Sequence, residues 1–328
     1  MALRRRSLPF LLDFMETARR ARFQPRHSFT RELEVRQLQQ VRAPSEGGWR
    51  GGYTALDGGT LSYEYSVPSR LCEADSGTLP LPVLLAVIDE VTSWASMGAD
   101  PSLRPGVSVV LSVEMLRDSP IAAAENLRFE SSVRKIGKTL SFLDCAVTTE
   151  AGEPVATGRH LKYVDMGLAW RLAFGSTLYP LTRTIARATA RDPAAPEPAL
   201  TPSLESLIDY ACGAGLEDSA TARGRFECGV PHMNDVGGIH GGYQALMHGV
   251  HGDASLAGRA ATGRLRAMQV TYMTAGKRGT VDALSKTQRD GTAAAGERST
   301  LTQSSQLVQR TTGVTLSEAR LEYEVVAR

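Results

Sequence analysis

The 328-residue sequence predicts an α+β protein built from two tandem repeats packed as a pseudo-dimer. Three observations predict it. A turn leading into an apolar stretch occurs twice, with Pro80 falling on His240 at an offset of 160 (240 − 80). Residues 107–115 carry Val107, Val109, Leu111, Val113 and Met115 at every second position, the alternation of a half-buried strand. Residues 81–97 are apolar on most faces at helical spacing, the pattern of a buried helix.

Residues 1–45 read as a basic arm. Arg4, Arg5 and Arg6 precede Leu8, Phe10, Leu11, Phe14 and Met15, and Arg19, Arg20, Arg22 and Arg26 follow. A helix is expected over residues 9–22, with Pro9 near its first turn. Arg-rich, amphipathic and acid-poor is the composition of a mitochondrial targeting segment. A basic surface helix that stays attached, lying on a partner protein or a membrane surface, is the other reading. Residues 45–59 are Gly-rich and punctuated by turns. The first repeat spans 46–166. A linker, 167–202, opens with an amphipathic piece and ends in the proline-dense run 192–198, which breaks helix and stiffens the connection. The second repeat spans 203–328.

Composition excludes several classes. At 42% hydrophobic and 22% charged, the chain has an ordinary globular balance. A net charge of +2 gives no bulk electrostatic argument for nucleic acid. The longest apolar run, around 83–91, carries Asp89 and Glu90 and is not expected to span a bilayer. Cys72, Cys145, Cys212 and Cys228 form no Cys-x-x-Cys pair, so neither a disulfide framework nor a zinc site is expected, and a reducing compartment is the simpler reading.

The two repeats differ where chemistry would sit. The second contains Asn234-Asp235-Val236-Gly237-Gly238-Ile239-His240-Gly241-Gly242. The first has Asp89 on its apolar helix, and at the same offset (249 − 89 = 160) Asp89 falls on Gly249. The half with His-Gly-Gly lacks the acid and the half with the acid lacks His-Gly-Gly. Packed as a pseudo-dimer, they form one complete site and one dead site.

A Gly-x-x-His-Gly-Gly turn entering an apolar helix, with an Asp on the facing helix, resembles the hotdog-fold acyl-CoA thioesterases, and most their phenylacetate-pathway and human thioesterase-superfamily branch. Pro105-Gly106-Val107-Ser108-Val109 resembles the strand after the helix. Residues 134–142 and 152–160 resemble the central and last hairpins. In the second repeat Val270-Thr271-Tyr272-Met273, Arg289-Asp290-Gly291, Gly313 and Tyr323 echo these more faintly. The resemblance implies that each repeat is an antiparallel sheet wrapped around its helix, with a site shared across the repeat interface.

Thioester hydrolysis needs fixed donors aimed at the developing oxyanion. Backbone N–H groups at a helix N-terminus supply them, and Gly241 and Gly242 let an acyl group approach closely. Asn234 is expected to donate to the same oxygen, and His240 to shape the turn rather than transfer protons. Asp89 is the expected general base or nucleophile. The resemblance makes Ser108 the hydroxyl that orients water. Arg134, Lys138, Arg159 and Lys162, with Gly242, are candidates for holding CoA, although solvated charge at strand ends accounts for the basic residues equally well. His248 and His251, with His240 and Asp253, invite a metal reading, but no third ligand is evident and Gly249 and Gly252 weaken the helix there. The expected function is acyl-CoA hydrolysis to free acid and CoA at one composite site per chain, with no cofactor. The alternative is a non-catalytic, thioesterase-like structural subunit of a larger mitochondrial assembly, contacted through the arm. Mitochondrial location is expected, with the cytoplasm as the alternative, and a homo-oligomer is open.

Overall fold

A computed structural model describes residues 13, 28–35, 52–57, 59–100, 103–165, 167, 179–188, 199–212, 221–234, 237–257, 263–289 and 298–326. Apart from Asp13, the helix expected over 9–22 lies outside the described residues, as do residues 45–51 and the proline-dense 192–198.

The first series of elements is a one-turn helix α1 (Phe29–Glu32), β1 (Gly52–Asp57), β2 (Thr60–Ser66), the long helix α2 (Leu81–Ala99), β3 (Val107–Met115), β4 (Asn126–Ile136), β5 (Leu140–Thr149) and β6 (Pro154–Tyr163). After α3 (Tyr179–Ala188) the series recurs. It runs α4 (Leu204–Leu207), β7 (Tyr210–Cys212), β8 (Thr221–Cys228), α5 (Gly241–Ala257), β9 (Gly263–Tyr272), β10 (Gly279–Arg289), β11 (Arg298–Gln309) and β12 (Val314–Val326). The long helices begin at Leu81 and Gly241, at the predicted offset (241 − 81 = 160).

Among the described residues the strands form one 12-stranded antiparallel sheet, in the order β1-β2-β4-β5-β6-β3-β9-β12-β11-β10-β8-β7. Read outward from the middle, both halves have the same order. The seam is the β3–β9 pair, with Leu111 opposite Val270 and Val113 opposite Met268. The expected pseudo-dimer with a continuous sheet is therefore present. Each half of the sheet packs on its own helix, and the helices meet each other in the middle.

α2 starts where Pro80 and Pro82 pre-set the backbone for a helical first turn. Its 19 residues are long and apolar enough to cross a membrane, but 94% of that stretch is buried inside the sheet, so the hydropathy belongs to a core helix. Ile88 packs against Gly158 of β6, where an added Cβ would lie 2.9 Å from the Ile88 Cγ2. Glycine there lets sheet and helix approach.

Strand β3 departs from the predicted alternation. A bulge between Ser108 and Val110 inserts one extra residue in the pairing with β6. Leu111 and Val113 remain buried, while Val107 is 49% exposed. The parity change turns Ser108 toward the helix.

Part of the segment read as an arm is in the core. Phe29, Leu33 and Val35 are buried, and the Phe29 N–H donates to the Met233 carbonyl in the second repeat (3.2 Å). The Tyr65 hydroxyl donates to the Leu33 carbonyl (2.8 Å). Glu32 is fully buried and pairs with Arg70 (3.2 Å). An apolar side chain that fills a protein interior cannot serve as a free docking surface. The four cysteines are free thiols.

Phe29→Ala should therefore destabilise the fold by about 3–5 kcal/mol, the usual cost of emptying a buried aromatic site. Urea unfolding of the full chain measures it. An unchanged midpoint would return these residues to the surface arm.

Candidate active site

The site forms where the N-terminus of α5 meets the middle of α2. Gly242 sits against Ala86, where an added Cβ would lie 2.7 Å from the Ala86 Cβ and 2.9 Å from its Cα. That approach brings the Gly242 N–H to 3.0 Å from Asp89 Oδ2. The same N–H lies 3.0 Å from His240 Nδ1. On the other side of the carboxylate, Ser108 Oγ donates to Asp89 Oδ1 (3.0 Å). The Tyr272 hydroxyl donates to the Gly241 carbonyl (2.9 Å) and closes the wall opposite. Gly241, partly exposed, faces the same carboxylate. A Cβ there would stand 3.0 Å from Asp89 Oδ2, 3.3 Å from Ser108 Oγ and 3.5 Å from the Tyr272 Cζ. Among the described residues, the Gly241 N–H carries none of the hydrogen bonds that hold the turn.

Composition alone did not single out His160 for this site. It is buried on β6, with Nε2 3.0 Å from Ser108 Oγ and 3.5 Å from Asp89 Oδ1. Its Nδ1 lies 2.6 Å from Thr92 Oγ1. Burial pushes the ring down to about 3, with Lys162 adding to the effect and Asp89 opposing it. At neutral pH the ring is uncharged, a fixed dipole beside Ser108. Burial alone would raise the Asp89 carboxyl. His160, Lys162, His240 and the Ser108 hydrogen bond together outweigh it and hold Asp89 below the ordinary carboxylate value. The acid is therefore an anion at neutral pH.

The structure thus brings together Asp89, Ser108, His240, Gly241 and Gly242 from opposite repeats. Asn234 Oδ1 accepts the Gly238 N–H (2.9 Å) and braces the turn that precedes Ile239, a bond that does not involve the side-chain amide N–H, the expected oxyanion donor. Lys162, grouped by sequence with the CoA candidates, is buried beneath α2 and donates to Ser93 Oγ (2.6 Å). Strand parity, which a list of basic residues does not show, decides this. Arg134 pairs with Asp144 on the outer surface (2.6 Å). Lys138 lies exposed at the β4–β5 turn, and Arg159 is exposed on the outer face of β6. His248 and His251 do not converge on a metal. His248 bonds Ser305 (2.8 Å) and Ser317 (3.0 Å), and His251 bonds the Tyr210 hydroxyl (2.9 Å).

The pseudo-symmetric position is blocked. A Cβ on Gly249 would lie 2.1 Å from the Pro82 Cγ, which leaves no room for a carboxylate. Pro82 also has no N–H to offer one. Beside it lies a pocket of about 310 Å³, lined by Pro80, Leu246 and Val250 together with Glu73, Glu205 and Asp253.

The fold is a double hotdog. Residues 15–164 match the family model described as the acyl-CoA thioesterase C-terminal domain. The whole architecture is similar to solved structures at low identity. The tesB protein of Mycobacterium avium subs paratuberculosis superposes with a TM-score of 0.56 at 13% identity, covering 91% of this chain and 99% of that one. A putative oleoyl thioesterase from Lactobacillus plantarum gives 0.54 at 12% identity, covering 82% and 97%. A 12:0-ACP thioesterase from Umbellularia californica gives 0.52 at 14% identity, covering 82% and 95%. Among curated proteins none matches the sequence. The chain has a tandem hotdog fold, and its residues 15–164, less than half of its length, are similar to the acyl-CoA thioesterase family.

Two measurements test this geometry. Gly242→Ala should force α2 and α5 apart, because the new methyl meets backbone as well as side chain; a loss of thermal stability is expected, and a wild-type melting curve would contradict the contact. The second is acid sensitivity. Burial pushes His160 and His248 down to about 3 and His251 to about 4, from 6.5. Below pH 6.5 the unfolded rings take protons that the folded rings refuse. Their contribution is full above that pH and is lost as pH falls toward the folded values. Asp89, also lowered, loses its contribution only below the ordinary carboxylate value of 3.8. Urea midpoints should therefore fall steadily as pH drops from 6.5, and His248→Gln should make the slope shallower.

Proposed function

We propose that the protein hydrolyses acyl-CoA thioesters to free acid and CoA, at one composite site per chain. The observation that carries this reading is the Asp89 carboxylate of one repeat seated on the Gly242 N–H of the other (3.0 Å), with Ser108 on its second oxygen. The thioester carbonyl would enter beside Gly241, with its oxygen on the Gly241 N–H. The N-terminal end of α5 favours negative charge at that point. The Ser108 hydroxyl and the Asp89 carboxylate make a two-point seat for water on the other side. Asp89, ionised, takes the water's proton as the oxygen attacks the carbonyl carbon. The tetrahedral oxyanion then collapses, the C–S bond breaks, and the CoA sulfur leaves with the proton that Asp89 had taken, which returns Asp89 to its anion. His240 is a poor base here, because its Nδ1 lone pair already faces the Gly242 N–H.

Thiol release from a panel of acyl-CoAs of different chain length tests the reading. Asp89→Asn, nearly isosteric, should lower kcat by about 10²–10⁴-fold and leave the fold intact. Ser108→Ala should lower it less. A wild-type protein that hydrolyses no acyl-CoA, or an Asp89→Asn variant as fast as wild type, would overturn the catalytic reading and leave the structural-subunit one.

A further inference from the structure

One buried carboxylate has no part in that chemistry. Glu90 follows Asp89 on α2 and is only 6% exposed. Its Oε1 accepts the Trp94 indole N–H (2.7 Å). Its Oε2 accepts the Thr30 hydroxyl (3.2 Å). That same Oε2 is 3.6 Å from His240 Nε2, and Thr30 Oγ1 is 3.4 Å from it. The Phe29 ring packs on the imidazole, with centroids 5.3 Å apart.

The other side of the ring decides the proton. His240 Nδ1 faces the Gly242 N–H at 3.0 Å, so it acts as acceptor. A neutral imidazole has one donor and one acceptor nitrogen. The proton therefore belongs on Nε2, facing Thr30 and Glu90. In the opposite tautomer, Nδ1–H would collide with the Gly242 N–H. It would also point at Asp89 Oδ2, 3.6 Å away, and occupy the lone pair the base needs.

We propose that Glu90 and Thr30 are positioning residues that hold His240 as the Nε2–H tautomer, and that turnover at Asp89 therefore depends on the N-terminal turn α1 being docked. This rests on the thioesterase reading above. Glu90, which accepts from Trp94 and from Thr30, takes the Thr30 proton and so turns the Thr30 lone pair to the ring; Thr30 bridges the two. α1 is in turn held by groups remote from the chemistry. Arg70 of the first repeat bonds the carboxylates of Glu32 (3.2 Å) and Glu34 (2.5 Å) and the Glu32 carbonyl. Thr201, at the end of the linker, donates to Glu32 Oε2 (2.6 Å). A segment that precedes the first repeat thus reaches the catalytic turn of the second, and the linker end helps to hold it there.

The test uses the full chain and its best acyl-CoA. Thr30→Val keeps the shape and removes the hydroxyl; Glu90→Gln keeps the shape and exchanges a carboxyl oxygen for an amide. Each should lower kcat by up to about 10²-fold, the cost of a small misplacement, while KM stays within about twofold. Thr30→Ser should restore kcat. Long-range ¹H–¹⁵N spectra of the His240 ring give a readout that does not depend on activity. Wild type should show the Nε2–H tautomer, and Glu90→Gln a mixture. A wild-type ring protonated on Nδ1 would overturn the proposal. So would kcat losses with no change in tautomer, or unchanged kcat in both variants. A wild type that shows the Nε2–H tautomer, shifted in Glu90→Gln, but no hydrolysis would overturn the thioesterase reading and leave the ring assignment standing. Should Thr30→Val fail to fold, Glu90→Gln and the spectra decide alone.

Discussion

The site exists because two helices touch without side chains between them. Ala86 on α2 and Gly242 on α5 leave so little room that a Cβ on the latter would overlap the former. At that separation a carboxylate on α2 reaches a backbone N–H on α5 at 3.0 Å. A larger residue at either position would lengthen this bond, and Asp89 would lose the donor that orients it. The seam strands β3 and β9 keep the helices in register, since they pair residue to residue across the pseudo-dimer. Sheet continuity and site geometry are thus one constraint.

Electrostatics follow from the same contact. Asp89 is buried, which opposes its ionisation, yet two histidines, a buried lysine and a serine hydroxyl converge on it and lower its pKa. Lys162 is part of that balance. Buried with its amine on Ser93, it offers positive charge near the anion. A buried ion of this kind stabilises its neighbour only while the neighbour stays charged.

The large-scale plan was legible in the sequence because it rests on repetition and periodicity. An offset of 160 residues fixed both helix starts, and the absence of an acid at Gly249 marked the position that Pro82 blocks. Asp89, Ser108 and Gly241 were legible from their motifs. The bulge at Val109 was not: Val107, Val109 and Leu111 alternate as an ordinary strand does, and only the pairing with β6 shows the extra residue. The placements of Lys162 and His160 depend on strand parity and on which face α2 covers, neither of which a composition reveals. Thr30 was hidden for another reason. It is brought to His240 across 210 positions of sequence, within a segment whose arginines drew attention to the surface.

The fusion of the two repeats into one chain has a consequence for what each can become. In a dimer of identical chains every residue appears twice, so a proline that blocks one cleft must block both. Here Pro82 can close on Gly249 while Gly242, at the matching place, still offers its N–H to Asp89. Linking the halves removes the symmetry that would otherwise tie the two clefts to a common fate. One half is then free to specialise as the source of the acid, the other as the source of the turn.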